Sequence, residues 1–533
     1  MSRGTELTGT AVLIRLVLRR DRIRILIWTA AVPLLVLLTA ASVKGLYPTQ
    51  HDLDVAARAS QDNAAAIAFN GPAQGLDTLG GQVAFQVGTL GLVVVALMST
   101  FMTGRNTRAE EEAGRDDLVR SLPVGRHASV TAALLVVAAM NVSVAALVTL
   151  GLIGLDLPVT GSLVLGVSFC ALGLVFAAVT TVVAQISENT RVVHGSTGAV
   201  LGAAFALRAI GDTADGTVSW FSPIGWVQKT RPFAGERWWP LLVAAAFTAA
   251  SVAVAHALSD RRDVGAGLVA PRPGPPRASR ALGSPFGLAL RLQRGSLAGW
   301  SCGVFLTGLA YGWVADDVEE FVADNETLAD LIAGDAGVDL TDAYLSQSLL
   351  VVALIGAGYA VQSALRPRGE ETGLRAEPLL ATPVSRGRWL AGHLAVALAG
   401  SAVVLAVAGL GTGLAFGIAA GDMGQVPRLV GAALAYTPAL WLLTGLAVAL
   451  FGLAPRASAL AWAAVAACFV IGLLGVALDL PPWVRDVSPF EHIPHLPGAD
   501  PGLTAPALLT AVAAALTAAG VAGFRRRDVD QVP

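Results

Sequence analysis

The chain has 533 residues, of which 54% are apolar and only 14% are Asp, Glu, Lys or Arg. A water-soluble protein of this length has too little interior to bury so much apolar surface, so the composition excludes an ordinary soluble protein and favours a polytopic membrane protein. The formal net charge of −2 carries little information, because the placement of charges relative to a membrane matters more than their sum.

The first predicted element is a basic, amphipathic helix in the stretch VLIRLVLRRDRIRI. Arg15, Arg19 and Arg22 recur on one helical face beside apolar residues, as in helices that lie in the membrane interface against anionic lipid. Twelve apolar runs, each of roughly 20 residues, follow and predict an all-α fold of about twelve transmembrane helices. The predicted spans are Leu26–Val43, Gln82–Thr103, Val130–Leu155, Leu163–Ile186, Ser196–Ile210, Leu241–Leu258, Leu297–Val314, Leu345–Leu365, Leu394–Ala420, Leu429–Leu453, Ala459–Leu478 and Gly502–Phe524.

The distribution of Lys and Arg predicts the topology, because these residues favour the cytoplasmic side. With both termini inside, 28 of the 36 basic residues fall in cytoplasmic segments and seven in external segments. The sequence therefore predicts a multi-pass membrane protein with both termini in the cytoplasm.

Two short stretches concentrate charge between the second and third predicted spans of each half of the chain. Residues 107–126 read TRAEEEAGRDDLVRSLPVGR, and residues 366–386 read RPRGEETGLRAEPLLATPVSR. EEAG is similar to EETG, and LPVGR to TPVSR, with one residue inserted between the two blocks. A short charged helix is predicted in each island. For one island alone, a solvated loop is a sufficient interpretation; the duplication favours two similar surfaces for a partner.

The islands belong to a longer internal repeat. The last predicted span of each half is followed by a similar basic motif, RRDV at Arg261–Val264 and RRRDV at Arg525–Val529. Matches at corresponding positions predict two fused six-helix halves, residues 1–262 and 291–533, related by an axis along the membrane normal. The stretch between them, residues 263–290, is rich in Pro, Gly and Arg and is predicted to be a cytoplasmic linker.

The pattern Glu-Glu-x-Gly, followed about nine or ten residues later by Pro-Val-x-Arg, resembles the cytosolic loop of type 2 ABC exporter permeases. Over nearly all of its length the chain is similar to the actinobacterial branch of that family, the polyketide-antibiotic exporters of the tetronasin type. FALRAIGD, WFSPIGW and SPFEHIPHLPG contribute to this likeness. The resemblance implies the type 2 ABC exporter transmembrane fold in the bacterial inner (cytoplasmic) membrane. It also implies an N-terminal elbow helix and two loops with coupling helices that dock on an ATPase.

Carried over residue by residue, the resemblance implies a set of partner-coupling positions in each island. In the first island Arg115 directly follows the glycine. In the second island Leu374 follows the glycine, so Arg375, the expected equivalent of Arg115, comes one position later. The implied positions are Glu111, Glu112, Gly114, Arg115, Pro123 and Arg126, with Glu370, Glu371, Gly373, Arg375, Pro383 and Arg386 in the copy.

The energy source is expected on another chain. A P-loop requires Gly-Lys-Ser/Thr, and neither Lys44 nor Lys229, the two lysines present, follows a glycine. The chain is therefore predicted to be a permease subunit and not an enzyme, without a cofactor or metal of its own. ATP and Mg would bind two copies of a separate ABC ATP-binding subunit. The other expected partners are membrane lipids and a hydrophobic or amphipathic drug, exported by alternating access; no nucleic acid is expected.

Two alternatives remain open. An ion-coupled secondary transporter usually places Asp, Glu or His inside its spans, whereas the predicted span interiors contain no Asp or Glu. Arg208 and Asp212, four residues apart, are predicted to pair at the outer end of a span. A non-transporting resistance or signalling subunit would use the same docking islands. For an intramembrane enzyme, neither HExxH nor G-x-S-x-G occurs in the chain.

Overall fold

The computed structural model describes residues 6–61, 64–263, 265–269, 274, 276–315, 339–475, 480–498 and 502–527. These residues form helices and connecting turns, and no β-strand occurs among them. Contacts divide the chain into two compact units, Met1–Gly274 and Pro275–Pro533. Within the described ranges, twelve helices are long and apolar enough to cross a membrane, which confirms the predicted all-α polytopic fold class.

The first unit contains six of these helices, numbered here as spans 1 to 6. They are Arg22–Leu46, Leu79–Asn106, Ala128–Gly154, Val159–Ile186, Thr190–Asp212 and Pro240–Ser259. Span 4 packs against spans 2, 3 and 6, and spans 2 and 4 are the most buried of the six. Their shared core includes the fully buried side chains of Val95, Val144, Phe169 and Phe176.

A separate helix, Thr10–Arg20, precedes span 1 and ends at Asp21. Leu13 and Val17 are buried against the unit, whereas Arg15 is exposed, so the predicted amphipathic helix is confirmed. Shorter helices lie between the spans. They are Gln50–Gln61 and Ala64–Asn70 after span 1, and Pro223–Gln228 before span 6.

The second unit contains spans 7 to 12. They are Pro285–Val314, Leu340–Ala364, Arg386–Ala419, the two-part helix Gln425–Leu434 with Thr437–Leu453, Leu460–Leu474 and Thr504–Arg526. Span 8 is the most buried, span 9 packs along span 7, and span 10 along span 12. Glycines permit the last contact, because a side chain at Gly452 would overlap the backbone of Gly520.

Most spans extend beyond their predicted bounds, as span 9 does by starting at Arg386 and not at Leu394, and at spans 7 and 10 the difference has a clear local cause. Span 7 begins at Pro285, within the stretch predicted as linker, because the side chain of Ser284 caps the helix by accepting from Gly287 N at 3.1 Å. Its first turns are polar, so an apolar-run criterion misses them. Span 10 is broken after Leu434 because Pro438, which has no N–H, starts a new helix.

Arg208 and Asp212 pair as predicted, with Nη1 of the arginine 3.7 Å from Oδ2 of the aspartate. The Arg208 side chain is fully buried and also donates to the carbonyl oxygens of Ile67 and Phe69, both at 3.2 Å. Arg208 therefore attaches the end of the short helix Ala64–Asn70 to span 5.

Candidate functional site: two charged hairpins

Each charged island forms a pair of short helices directly after the second span of its unit. In the first hairpin, residues 107–127, the helices are Arg108–Glu112 and Arg115–Arg120. In the second hairpin, residues 365–386, they are Arg366–Thr372 and Ala376–Leu380. The prediction of a short charged helix in each island is confirmed, and each island contains two.

The two hairpins make the same ion pair. Arg115 donates to both carboxylate oxygens of Glu110, with Nε–Oε2 and Nη2–Oε1 distances of 2.9 Å. Arg375 donates from Nε to Oε2 of Glu370 at 2.8 Å. In both hairpins the arginine lies five residues after its glutamate, and the two pairs are 260 residues apart in the chain. The expected one-residue insertion is therefore wrong, since Arg375 takes the place of Arg115.

The backbone of the turn explains why the sequence match was misplaced. Gly114 and Leu374 both have left-handed backbone, with φ of +68° and +56°, and each stands immediately before its pairing arginine. Gly373, which the similarity of EEAG and EETG sets opposite Gly114, has an ordinary φ of −86°. Identity of residue type therefore shifted the alignment by one position.

A second glutamate in each hairpin is buried and binds an arginine beyond the last span of its unit. Arg262 donates to Glu111 through two contacts, Nη2–Oε1 at 2.6 Å and Nη1–Oε2 at 2.8 Å. Arg527 also contacts both oxygens of Glu371, through a hydrogen bond from Nη2 to Oε2 and an ionic contact between Nη1 and Oε1, both at 2.9 Å. The side chains of Glu111 and Glu371 are only 5% and 1% exposed, so these carboxylates lie within their units and bind the units' own arginines.

Another arginine within each hairpin binds the same two carboxylates from one helical turn earlier. Arg108 Nη1 lies 2.6 Å from Glu111 Oε2, and Arg368 Nη1 lies 3.3 Å from Glu371 Oε2. Arg108 also donates to the carbonyl oxygen of Gly265, which brings the described residues after span 6 against the first hairpin. Each buried carboxylate is thus bound by two guanidinium groups, which compensate its buried negative charge.

The last residue of each predicted coupling set reaches the carboxyl end of the unit's last span. Arg126 donates from Nη2 to the carbonyl oxygen of Ser259 at 2.8 Å, and Arg386 donates from Nη1 to that of Arg527 at 2.6 Å. Helix carboxyl ends have free carbonyl oxygens and a partial negative charge, so a guanidinium is well placed there. The hairpins are therefore attached to the last spans at two points.

The first hairpin has an additional attachment to the N-terminal helix. Arg20 Nη1 lies 2.8 Å from Glu110 Oε2, and Arg20 also pairs with Asp21 at 3.1 Å. The Asp21 side chain has no exposed surface and accepts from Arg105 Nε at 2.9 Å. Burial acts to raise the pKa of Asp21, but hydrogen bonds and charges from Arg105 and Arg20 outweigh it, so the pKa lies below its usual value.

The remaining coupling positions lie on the surface. Glu112 is exposed and accepts a hydrogen bond from the backbone N–H of Thr190 at 2.9 Å, at the start of span 5. Most of the other members of the set are exposed as well, and Arg386 is half-buried. The exposed members are Gly114, Arg115, Pro123, Arg126, Gly373, Arg375 and Pro383. The structure therefore separates the set into buried carboxylates, Glu111, Glu370 and Glu371, and a surface.

Apolar side chains form part of that surface. Leu118 and Leu122 of the first hairpin are 73% and 62% exposed, and Leu374 of the second is 56% exposed. Such side chains on a charged surface are a common mark of a protein–protein contact. None of these three leucines belongs to the set predicted from the sequence.

Sequence reasoning missed Arg262 and Arg527 as parts of the site. They lie 151 and 156 residues from their glutamates, so no local spacing indicates the pairing. A signal was present, because the similar motifs RRDV and RRRDV follow the last span of each half. Among the described residues, no group of three or more His, Cys, Asp or Glu side chains has the arrangement of a metal site.

Comparison with known proteins identifies a family model that matches the second half of the chain and a relative that matches nearly all of it. The family model "Multidrug efflux system permease Rv1217c, C-terminal domain" matches residues 282–525. The multidrug efflux system permease protein Rv1217c of Mycobacterium tuberculosis (strain ATCC 25618 / H37Rv) is 43% identical over 532 residues, which cover 99% of this chain and 96% of the relative. Identity at this level over both full lengths, together with twelve helices able to span a membrane, establishes that the chain belongs to the family of the multidrug efflux system permease Rv1217c.

Proposed function

We propose that this chain is the permease of an ATP-driven ABC exporter that moves hydrophobic or amphipathic drugs out of a bacterial cell. It would lie in the inner membrane with both termini in the cytoplasm, and ATP and Mg would bind two copies of a separate ATP-binding subunit. The relationship to a multidrug efflux system permease supports efflux of drugs. The absence of a P-loop motif supports a separate ATPase.

One observation carries the proposal of two ATPase copies. The two hairpins repeat the same ion pairs in the same register, and each presents an exposed surface around a buried ionic core. Two equivalent docking elements suit two copies of one partner. The buried pairs would keep each hairpin rigid, so that a displacement imposed by the ATPase reaches the spans instead of deforming the hairpin.

The roles of the coupling residues follow from their burial. Glu111, Glu370 and Glu371 would set the shape of the hairpins, while the exposed members of the set and the exposed leucines would contact the ATPase. Closure of the ATPase on ATP would move the hairpins, and the attached spans would change access from one side of the membrane to the other.

The test is co-expression with the candidate ATP-binding subunit, followed by purification and determination of the mass of the complex. We expect one permease with two ATPase copies. L118D/L122D should lose one copy, because two charges replace apolar contact surface without touching the buried ion pairs. Arg456→Ala, in an exposed turn between spans 10 and 11, is the control and should retain both copies.

The contradicting outcome is a permease that purifies without an ATPase and whose drug efflux is abolished by a protonophore at constant ATP. That result would favour the ion-coupled transporter. A complex that binds and hydrolyses ATP but moves no drug in either direction would favour the resistance or signalling subunit.

A further inference from the structure

The last span of each unit has no covalent link to the hairpin that it contacts. The first hairpin joins spans 2 and 3, and the second joins spans 8 and 9, whereas spans 6 and 12 end where the chain leaves the predicted membrane region. A displacement of a hairpin therefore has a direct path into four spans. Spans 6 and 12 are not directly joined to a hairpin, so they can follow only through non-covalent contacts with the hairpin or with neighbouring spans.

Two contacts in opposite directions provide that path. Arg262 and Arg527, at the ends of spans 6 and 12, bind the buried hairpin carboxylates of Glu111 and Glu371. In return, Arg126 at the end of the first hairpin binds the carbonyl oxygen of Ser259. The equivalent contact of the second hairpin goes from Arg386 to the carbonyl oxygen of Arg527. Contacts in both directions resist separation and rotation better than one contact does.

The surroundings of the two arginines differ although the pair is the same. Arg262 also donates to Gln185 Oε1 at 2.7 Å and to the carbonyl oxygen of Ala266 at 2.9 Å. The guanidinium of Arg527 instead lies over the rings of Phe451 and Phe524, 4.9 and 5.2 Å from their centroids. What both units have in common is therefore the two-pronged arginine–glutamate pair and not a general packing environment.

We propose that Arg262 and Arg527 are positioning residues that clamp each hairpin to the last span of its own unit, so that the two move as one body during transport. The clamp rests on the proposed function, in which a partner displaces the hairpins. It assigns to Arg262 and Arg527 the transmission of that displacement to spans 6 and 12. A two-pronged buried ion pair suits this role because both partners are fixed in orientation as well as in distance.

The first test compares neutral variants in the complex with the ATPase. R262Q and R527Q, and the double variant, should still bind both ATPase copies and hydrolyse ATP, but the drug transported per ATP should fall about tenfold in the double variant. R262K and R527K keep the charge and lose the second prong, so they should give an intermediate loss. R261Q and R526Q remove the same charge from the neighbouring exposed arginines and should transport as the wild type does. Wild-type transport per ATP in R262Q/R527Q would overturn the clamp.

The second test cross-links the first hairpin to span 6, and it does not depend on whether the neutral arginine variants fold. His127, at the end of the first hairpin, faces Asp260 beside the clamp, with His127 Nε2 3.3 Å from Asp260 Oδ1. H127C/D260C leaves Arg126, Arg262 and Glu111 in place; in a chain whose three native cysteines are replaced by alanine, the two new cysteines are joined with a short bifunctional reagent that binds them through reducible disulfide bonds. If hairpin and span move together, the joined protein should export drug as the unjoined one does. Efflux that stops on joining and returns on reduction would overturn the clamp.

The two proposals can fail separately. The cross-linking test reads drug efflux alone, so it decides for or against the clamp even where no ATPase binds to the permease. Failure of the wild-type complex to assemble would instead contradict the proposed docking of the ATPase.

Discussion

Gly114 and Leu374 occupy the same turn in the two hairpins, and both have left-handed backbone. Glycine accepts this conformation freely, whereas a leucine is strained by the contact of its Cβ with the backbone. Packing of the Leu374 side chain does not offset this strain, because more than half of the side chain is exposed. A strained, exposed leucine at the tip of a proposed docking element is consistent with a contact to a partner.

The turn predicts opposite responses to substitution in the two hairpins. Gly114→Ala should lower the free energy of unfolding by about 1 kcal/mol, from backbone strain alone, because no atom beyond the adjacent residues lies within 4 Å of the added Cβ. Leu374→Gly should leave stability unchanged or raise it by up to about 1 kcal/mol, whereas Leu374→Ala retains the strain. Denaturant unfolding of the purified permease, followed by tryptophan fluorescence, measures all three. A Leu374→Gly variant less stable than Leu374→Ala would contradict the assignment.

Burial predicts that the glutamates of one hairpin differ in their importance for stability. Glu371→Gln should lower the free energy of unfolding by about 3 kcal/mol or more, because it leaves Arg527 and Arg368 without their buried counter-charge. Glu377→Gln changes an exposed glutamate in the same hairpin and should cost at most about 1 kcal/mol. Thermal unfolding in detergent compares the two, and equal losses would show that Glu371 is not buried in the protein as it exists in solution.

The same burial changes how a loss of ATPase binding should be interpreted. Replacement of Glu111 or Glu371 by alanine would disturb the hairpin from within, so an ATPase lost from such a variant would not identify a contact residue. Variants at exposed positions, with unchanged unfolding behaviour, are the informative ones.

Asp21 predicts a pH dependence of stability. Its pKa lies below the usual value of about 3.9, so its contribution is complete above that pH and is lost as the pH falls through the lower pKa of the folded state. Asp21→Asn removes this contribution at every pH. The difference in unfolding free energy between wild type and Asp21→Asn should therefore narrow as the pH is lowered from about 6 to about 3. A difference that stays constant over this interval would contradict the ionised, arginine-bound state of Asp21.

Arg208 predicts a local effect on the segment that it holds. Arg208→Lys keeps the positive charge, but a single ammonium group lacks the fork that reaches the carbonyl oxygens of both Ile67 and Phe69. Amide hydrogen exchange should increase in the short helix Ala64–Asn70 and remain unchanged in the hairpins. Increased exchange throughout the first unit would show instead that Arg208 stabilises the unit as a whole.

The sequence predicted the spans well because each needs roughly 20 apolar residues, and composition alone identifies such runs. It failed where a helix is polar or interrupted, as at the start of span 7 and at Pro438 in span 10. In the hairpins, the local pattern indicated charged helices and their duplication. It could not indicate that Glu111 and Glu371 are buried, because their partners, Arg262 and Arg527, are distant in the chain and meet them only in the folded protein.

The unbroken register between the hairpins bears on the origin of the chain. From Arg108 and Arg368 to Arg126 and Arg386, every equivalent residue is 260 positions from its counterpart, so neither copy has gained or lost a residue in this interval. Such constant spacing is expected if the two halves arose by duplication and fusion of one gene. An ancestor of half the length would have carried one hairpin and one arginine equivalent to Arg262 and Arg527. A homodimer of it would have contained the two hairpins that one polypeptide now carries.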